Sequence, residues 1–423
     1  MRIGFVGCSH LGICTAAAAA EKNFNITCFD FNKILIKNLN NNNLSFFEPG
    51  LKNLLKKNKN KINFTSKIQE LNSCKLVFIS QDTVTDKNNK SDFNSLKKLI
   101  NRVTKILKKN ISLVIMSQAY PGFTENINWD KKRLFYLVET LIFGKAIKRA
   151  LKPEQIIIGS KKILKSKKFN KNYYLEKYVK KFTKNISHMH YKSAELAKIS
   201  INLYLISSIS FTNMLSDYCE TANINWHDIE MILRNDKRVG KFAYLKPGLG
   251  VTSGNLLRDL NNAERFIDDK SFGKNLIKTW KKYSSIRKKW LFDLIKKKSK
   301  TKDVIGIFGL PYKENTVTLK NSVTLEILKK FNNKRFCVYD PLVKIDTSKK
   351  NFENLNSFQD LILKSNLLIF MTPWNFIKST SNQKMLSQFK GQYIFDPFDI
   401  INDEIIKKNN LIKYSFGRGD FDI

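Results

Sequence analysis

Cysteine and histidine are scarce in this chain of 423 residues, which contains six Cys and four His. The cysteines form no CxxC pair and have no His neighbours at ligand spacing; they are Cys8, Cys14, Cys28, Cys74, Cys219 and Cys337. This scatter argues against a disulfide framework and supplies no set of zinc ligands. We therefore expect reduced thiols, no bound metal and a cytoplasmic location.

Long apolar runs are also missing. After about the first twenty residues no stretch reaches the length that a membrane-spanning helix needs. The N-terminus resembles a secretory signal, because Arg2 precedes an apolar stretch that ends in alanines at 16–20. However, Gly4, Gly7 and Gly12 interrupt that stretch at spacings that suit a different use. We expect neither a signal peptide nor a membrane span.

Acidic residues are few: 36 Asp and Glu stand against 75 Lys and Arg, which gives a formal charge of +39. This excess is typical of a polyanion-binding protein, but it also arises when lysine and asparagine accumulate on solvated faces. The basic stretches, such as 56–61 and 296–302, are dispersed and lack interleaved aromatic residues. We expect no nucleic-acid partner, although the charge attracts anionic substrates and cofactors.

The length and the order of the patterns predict several domains. Short apolar runs alternate with helical stretches near both ends of the chain, which indicates parallel sheets with right-handed crossovers. The predicted fold class is α/β, with two Rossmann-like parallel-sheet domains joined by a long central helix and a helical domain. The predicted bounds are 1–190 for a dinucleotide-binding domain, 191–300 for a central helical domain and 301–423 for a second Rossmann-like domain.

The central segment changes to a helical period at about Tyr191. Its apolar residues continue without Pro or Gly for roughly thirty positions, which is long for a surface helix. Such a helix suits a spine that also buries a subunit interface. A homodimer is the simplest closed assembly that it predicts.

A glycine-rich turn follows the first predicted strand. Gly7 and Gly12 fit the first and last glycines of GxGxxG, whereas Ser9 replaces the middle one and adds a side chain where a pyrophosphate approaches. Asp30 ends the second strand, where a carboxylate accepts hydrogen bonds from ribose hydroxyls and repels a 2′-phosphate. The turn predicts NAD; the alternative is an α/β protein that binds no dinucleotide.

Several motifs, in order along nearly the whole chain, resemble the UDP-glucose/GDP-mannose dehydrogenase family. They are FFEPGL (46–51), SQAYPGFTE (117–125), LKPEQIIIG (151–159), AELAKISINLYL (194–205), NDKRVG (235–240), LKPGLG (245–250), GIFGLPYKENTVTLKNS (306–322) and VYDP (338–341). The resemblance implies oxidation of a sugar CH2OH with two NAD molecules in succession, the second step proceeding through a cysteine thioester.

The resemblance also implies roles for individual residues. Lys198 and Asn202 match polar positions of the central-helix motif, and together with Asp259 they would handle the proton and stabilise the oxyanion. The alternative is that both are chance polar residues of that helix. Substrate contacts would come from Glu139, Arg238, Gly248, Gly250 and Lys313. Arg238 and Lys313 are equally well explained as surface or loop residues.

The chain departs from the family pattern at the residues of the thioester route. Counting from the left places Ser253 at the position of the catalytic cysteine, and counting from the right places Asn255 there. Phe143 stands where the family has a glutamate, and Gln118 replaces a threonine. Lys320, expected at the cofactor, replaces an arginine and so loses bidentate phosphate geometry.

The resulting hypothesis is an NAD-dependent oxidoreductase acting on the sugar of a UDP- or GDP-sugar, for example UDP-glucose, in the synthesis of surface polysaccharide precursors. It would stop at an aldehyde or ketone, or complete a second oxidation through a hydrated aldehyde without a covalent adduct. The alternative is a non-catalytic relative that binds NAD or nucleotide sugar as a sensor or partner subunit.

Overall fold

The computed structural model describes residues 1–86, 88–161, 169–268, 270–346 and 351–418. The chain divides into two compact units, Met1–Ile201 and Asn202–Ile423. Each unit contains one extended sheet flanked by helices, which confirms the α/β fold class with two Rossmann-like sheets and a long helix between them in sequence. The three domain bounds given above stay a prediction.

The first unit contains an eight-stranded sheet of order β3-β2-β1-β4-β5-β6-β7-β8. Its strands are β1 Arg2–Val6, β2 Asn25–Phe29, β3 Ile62–Thr65, β4 Leu76–Ile79, β5 Ser112–Ile115, β6 Leu134–Leu137, β7 Ile156–Ser160 and β8 Ile186–His190. Its helices are α1 His10–Glu21, α2 Lys33–Asn40, α3 Leu51–Lys57, α4 Phe93–Thr104, α5 Ala146–Leu151, α6 Tyr173–Val179 and the start of α7 Tyr191–Ala222.

Burial explains the composition of the first strands and helix. The strands β4, β5 and β6 are buried at every position, as expected for a sheet covered by helices on both faces. The helix α1 buries ten consecutive residues, and its alanines allow it to lie close to the sheet and to α5. Parallel pairing was predicted throughout, but β6 and β7 pair antiparallel. The strand β8 has only partly buried residues and was missed.

The second unit contains a six-stranded parallel sheet of order β11-β10-β9-β12-β13-β14. Its strands are β9 Val304–Phe308, β10 Arg335–Tyr339, β11 Phe352–Asn354, β12 Leu367–Phe370, β13 Tyr393–Phe395 and β14 Ile412–Tyr414. Its helices after α7 are α8 Trp226–Asn235, α9 Gly254–Phe266, α10 Phe272–Lys298, α11 Val323–Lys330, α12 Phe358–Lys364, α13 Asn375–Lys378, α14 Thr380–Lys384 and α15 Asp403–Lys408.

The long central helix is confirmed as α7, which is continuous for 32 residues. In the second unit the C-terminal segment is tied to this helix: Gly417 donates its amide to Glu220 at 2.8 Å, and Arg287 pairs with Asp217 while its guanidinium lies 3.9 Å from the ring centre of Phe416. Within the described residues, none of the helices combines the length and the apolar character that crossing a bilayer requires.

Candidate active site

The predicted glycine turn joins β1 to α1 in the first unit. Gly7 has a φ of +97°, and its amide donates to the carbonyl of Phe29 at 2.9 Å. A Cβ at Gly12 would lie 2.0 Å from the carbonyl oxygen of Gly7, a distance that no side chain tolerates. Both glycines are therefore required by the backbone, and they bring the N-terminus of α1 against the end of β1.

Asp30 lies at the end of β2, beside this turn. One carboxylate oxygen accepts the amide of Cys8 at 2.9 Å, and the other accepts the amide of Asn32 at 2.9 Å. The side chain is only half-buried, so its remaining lone pairs can accept hydrogen bonds from a ligand. Its predicted role in ribose recognition stays a prediction.

Ser9 replaces the middle glycine without capping α1. Its hydroxyl donates to the carbonyl of Ser80 at 3.0 Å and accepts the amide of Asp82 at 3.0 Å. Asp82 in turn accepts the amide of Leu11, in the first turn of α1, at 3.5 Å. Sequence reasoning missed Asp82. Its position just beyond the carboxyl end of β4, where ligands bind in open α/β sheets, could have revealed it.

A buried histidine and glutamate support the same turn. His10 Nε2 lies 2.9 Å from Glu48, which also accepts the amides of Gly144 and Ala146 at 2.9 and 2.8 Å. Burial raises the pKa of Glu48, but these three hydrogen bonds outweigh burial and leave the pKa below its usual value. Phe143, at the family's glutamate position, packs on His10 with ring centres 4.3 Å apart. Phe143 thus places an apolar ring against His10, where the resemblance predicts a glutamate carboxylate.

Lys198 and Glu139, predicted for separate roles, lie together in the first unit. The Nζ atom of Lys198 is 3.6 Å from a carboxylate oxygen of Glu139, and the amide of Leu141 donates to the other oxygen. The two side chains are 12% and 19% exposed, so the pair is shielded from bulk water but open on one side. Gln118 is also buried. It lies just before the loop in which the amides of Gly122 and Thr124 donate to Glu195.

Asn202 and Asp259 meet in the second unit. The amide of Asn202, on α7, donates to one carboxylate oxygen of Asp259, on α9. The Nε atom of Arg258 lies 3.2 Å from the other oxygen. Asp259 is completely buried, and a buried carboxylate persists only when it is paired and hydrogen-bonded in this way. The sequence grouped Asn202 and Asp259 with Lys198 in a catalytic role, and that role stays a prediction.

A cavity of about 210 Å³ opens within the second unit. Its walls come from the LKPGLG segment, the segment after β9 and the start of α11; they include Tyr244, Lys246, Gly248, Gly250, Thr252, Pro311, Tyr312 and Thr324. Gly248 is fixed by donation of its amide to Asn213 at 2.9 Å. Gly250 has a φ of +80°, and a Cβ there would lie 2.6 Å from the hydroxyl of Ser284. The two predicted glycines therefore shape this cavity.

Ser253 immediately precedes α9 and hydrogen-bonds the phenol of Tyr312. Burial raises the pKa of Tyr312, while the bond from Ser253 opposes that rise. All six cysteines are free and buried, and burial raises the pKa of every thiol. A buried, protonated thiol is a poor nucleophile, so no cysteine of this chain replaces the one missing near Ser253.

Three further basic residues of the second unit were predicted at the site. Arg238 is 90% exposed and pairs with Asp236 at 2.7 Å. The Nζ atom of Lys313 lies 5.6 Å from the ring centre of the neighbouring Tyr312. Lys320 precedes α11, and its Cδ atom is 4.0 Å from the point where a Cβ on Gly254 would lie. Their assigned roles stay predictions.

Sequence comparison identifies three consecutive segments of one family along the chain. Residues 1–176 match the NAD binding domain of the UDP-glucose/GDP-mannose dehydrogenase family, residues 192–284 its central domain and residues 306–403 its UDP binding domain. A UDP-glucose 6-dehydrogenase of Rickettsia typhi is 26% identical over 99% of both chains. One from Campylobacter jejuni is 28% identical over 87% of this chain and 94% of its own.

Solved structures show the same fold over the full length. A UDP-D-ManNAc dehydrogenase from Pyrococcus horikoshii superposes with a TM-score of 0.83 at 21% identity and covers 100% of both chains. A UDP-glucose dehydrogenase from Pyrobaculum islandicum gives 0.84 at 19% identity and covers 99% of this chain and 98% of its own. With the three domains matched in order on this fold, the chain belongs to the UDP-glucose/GDP-mannose dehydrogenase family.

Proposed function

We propose that this protein is an NAD-dependent dehydrogenase that oxidises the sugar of a UDP- or GDP-sugar, with UDP-glucose the first candidate and surface polysaccharide precursors the expected destination. The observation that carries the proposal is the buried pairing of Asn202 with Asp259 in a chain that matches all three domains of the family. A fully buried carboxylate held by an amide of another helix is costly, which favours an enzyme over a non-catalytic binding protein.

NAD is the cofactor of the matched N-terminal domain. The residues present fit it: Gly7 and Gly12 bring the N-terminus of α1 against the end of β1, where a pyrophosphate would approach, and the Asp30 carboxylate accepts an amide of the same turn. Its negative charge favours the free 2′-hydroxyl of NAD over the 2′-phosphate of NADP. When bound, NAD supplies the acceptor for a hydride from the sugar carbon.

The chain's own residues would manage the charge and the proton. The Asn202 amide, held by Asp259, is positioned to hold a water molecule or the substrate alkoxide. The Lys198 ammonium would stabilise the developing oxyanion, with Glu139 as its counter-ion before substrate binds. The hydroxyl of Ser253 is a far weaker nucleophile than a thiolate, so a second oxidation would use a hydrated aldehyde rather than a covalent adduct.

The substrate would occupy the second unit, whose matched domain is described as UDP binding. The cavity has Gly248, Gly250, Thr252 and Lys246 in its walls, and the hydroxyl and the ammonium suit a phosphorylated ligand. Arg238 and Lys313 would add charge at its approaches.

The deciding experiment measures NADH formation by the purified protein with a panel of UDP- and GDP-sugars. Asn202→Ala should lower kcat on the order of a hundredfold, as loss of one preorganised donor does. Asn101→Ala, which alters an exposed residue of α4, is the control. One NADH per sugar indicates an aldehyde or ketone product, and two indicate the carboxylate. Binding of NAD and sugar nucleotide without any turnover would contradict the proposal that the protein is an enzyme.

We also propose a homodimer in the cytoplasm. The helix α7 leaves Tyr204, Phe211 and Tyr218 exposed by 65, 47 and 63%, at a spacing of seven residues that places them on one face. An apolar stripe of this kind suits a subunit interface. Six free thiols suit a reducing compartment. Sedimentation equilibrium should give twice the chain mass; a monomer at micromolar concentration would contradict the dimer.

A further inference from the structure

The segment after β4 places a carboxylate at the helix terminus that a cofactor pyrophosphate would approach. We infer that Asp82 occupies the anion position at the start of α1, so that NAD binds tightly only when Asp82 is neutral or displaced. This inference rests on the proposed NAD-dependent function and names a residue that sets cofactor affinity in that same site.

The geometry puts Asp82 in direct competition with a phosphate. The first intrahelical bond of α1 runs from the amide of Ile13 to the carbonyl of Ser9, which leaves the amides before Ile13 without a helical partner. These amides meet an anion in a dinucleotide turn. Here the carboxylate of Asp82 already accepts one of them, from Leu11 at 3.5 Å.

Ser9 holds Asp82 in this place. Its hydroxyl accepts the backbone amide of Asp82 and donates to Ser80, so the segment after β4 is fixed against the turn by the residue that replaced the middle glycine. The two departures from an ordinary dinucleotide turn, a serine for glycine and a carboxylate beside it, thus form one hydrogen-bonded unit.

The charges around Asp82 are mixed. His10 on α1 attracts its charged form, whereas Glu139 on the loop after β6 repels it. Cys14 on α1 also interacts with Asp82, whose charge helps to raise the pKa of the thiol, while Glu48 lies beside His10 and Lys198 beside Glu139. Burial is the largest effect and raises the pKa of Asp82 above its usual value. Incoming pyrophosphate charge would raise it further.

The consequence is a proton-linked affinity. A neutral Asp82 can donate a hydrogen bond to a phosphate oxygen, while an ionised one repels it. Because the cofactor favours the protonated form, the affinity for NAD should be greatest at low pH and should fall as the pH rises through the pKa of Asp82 in the complex. One proton is taken up per NAD bound at a pH where free Asp82 is ionised.

The test compares NAD titrations of the wild-type protein and Asp82→Asn by calorimetry between pH 5.5 and 8.5. We expect nearly equal affinities at the acid end and roughly tenfold tighter binding by Asp82→Asn at the alkaline end. A tenfold change is what a rise of about one unit in the pKa of Asp82 on NAD binding gives. Two buffers of different ionisation enthalpy should reveal proton uptake by the wild type alone.

Asp82→Ser serves as a second variant in case the asparagine disturbs folding, and Asp130→Asn, whose carboxylate contacts Lys132 and Arg133, is the charge-matched control. Adenosine, which lacks the pyrophosphate, should bind all four proteins alike. Equal NAD affinity of wild type and both Asp82 variants at pH 8.5 would overturn the inference while leaving the proposed function intact. Failure of every protein to bind NAD at any pH would instead overturn the proposed function.

Discussion

In the first unit the amide of Gly7, at a φ of +97°, donates to the carbonyl of Phe29 at 2.9 Å. In the second unit the amide of Gly309, at a φ of +99°, donates to the carbonyl of Tyr339 at 2.9 Å. Each glycine follows the first strand of its sheet and contacts the end of the second strand. The two sheets also have the same strand order at this point: in each, the first strand lies between the second and the fourth.

The carboxylate after the second strand repeats this correspondence. Asp30 accepts the amide of Cys8 at 2.9 Å, and Asp340 accepts the amide of Leu310 at 3.1 Å. Asp30 is half-buried, however, whereas Asp340 is buried and also accepts the indole N–H of Trp374 at 3.2 Å. The first carboxylate remains available to a ligand, while the second already has its partners within the protein.

The segments that follow Gly7 and Gly309 differ most between the two units. The helix α1 begins three residues after Gly7, so its amides reach the turn. The helix α11 begins only at Val323; the segment 310–322 intervenes, and its first three residues line the cavity of the second unit. The same turn therefore supports two kinds of site: helix amides for a pyrophosphate in one unit, and a pocket of side chains and loop backbone in the other.

The largest expected effect is that of Gly12→Ala. The added Cβ would meet the carbonyl of Gly7 at 2.0 Å, so α1 must move away from β1. We expect NAD affinity to fall at least about a hundredfold, because 1 Å of misplacement already costs that much at a binding site, and the free energy of unfolding to fall by about 3 kcal/mol. Calorimetry and urea unfolding measure the two effects.

Gly248→Ala is the control for that variant, since no atom lies within 4 Å of the added Cβ. It should unfold like the wild type and keep its affinity for NAD. A Gly12→Ala protein with wild-type affinity would show that the close contact of helix and strand is not what creates the dinucleotide site.

A smaller effect should separate the two equivalent carboxylates. Asp30→Ala should weaken NAD binding by about ten- to a hundredfold, because it removes a charged acceptor for the ribose hydroxyls. Asp340→Ala should leave NAD binding unchanged and lower the free energy of unfolding by about 1–3 kcal/mol, because the indole of Trp374 loses its acceptor. Fluorescence titration with NAD and urea unfolding of both variants measure these effects. Equal losses of NAD affinity in the two variants would contradict the proposed difference between the two turns.

The smallest effect concerns two buried carboxylates that each accept two backbone amides. Glu48 has His10 as a further partner and a pKa below its usual value. Asp396 accepts the amides of Ile400 and Ile401, and burial raises its pKa to about 6. Between the ordinary value of 3.8 and about 6 the folded state holds a proton that the unfolded state has lost, so the stability contributed by Asp396 rises as the pH falls through 6.

Asp396→Asn should remove this dependence. Relative to that variant, the wild type should gain about 1 kcal/mol in free energy of unfolding between pH 8 and pH 5. Chemical denaturation at a series of pH values measures the gain, and Glu404→Gln, which alters an exposed carboxylate of α15, controls for the general effect of pH. Parallel curves for the wild type and Asp396→Asn would contradict the assignment.

Sequence reasoning located most of the fold because the strands are continuous apolar runs with clear boundaries. The predicted alternation of short apolar strands with helices near both ends of the chain is confirmed, as is the long helix α7. The strands β6, β8, β11 and β14 were missed. The last three are short or only partly buried and carry little apolar signal, whereas β6 is fully buried. The antiparallel pairing of β6 with β7 also had no local signature, because strand direction depends on the path of the intervening chain.

The candidate site was predictable where a motif constrains the backbone. Gly7, Gly12 and Asp30 could be named from their spacing, since only glycine fits a left-handed turn or a contact of helix with strand. Asp82 and His10 could not be named as a pair, because they lie about seventy residues apart and meet only when β4 lies beside β1.

By itself, the sequence determined the alternation of strands and helices near both ends of the chain, the first glycine turn and the absence of a cysteine beside Ser253, because these depend on residue type and local spacing. Only the tertiary structure decided that Asn202 pairs with Asp259, that Lys198 lies against Glu139 and that Asp82 reaches the first turn of α1. Such contacts join residues distant in the chain, and their electrostatic strength depends on burial, which no local pattern specifies.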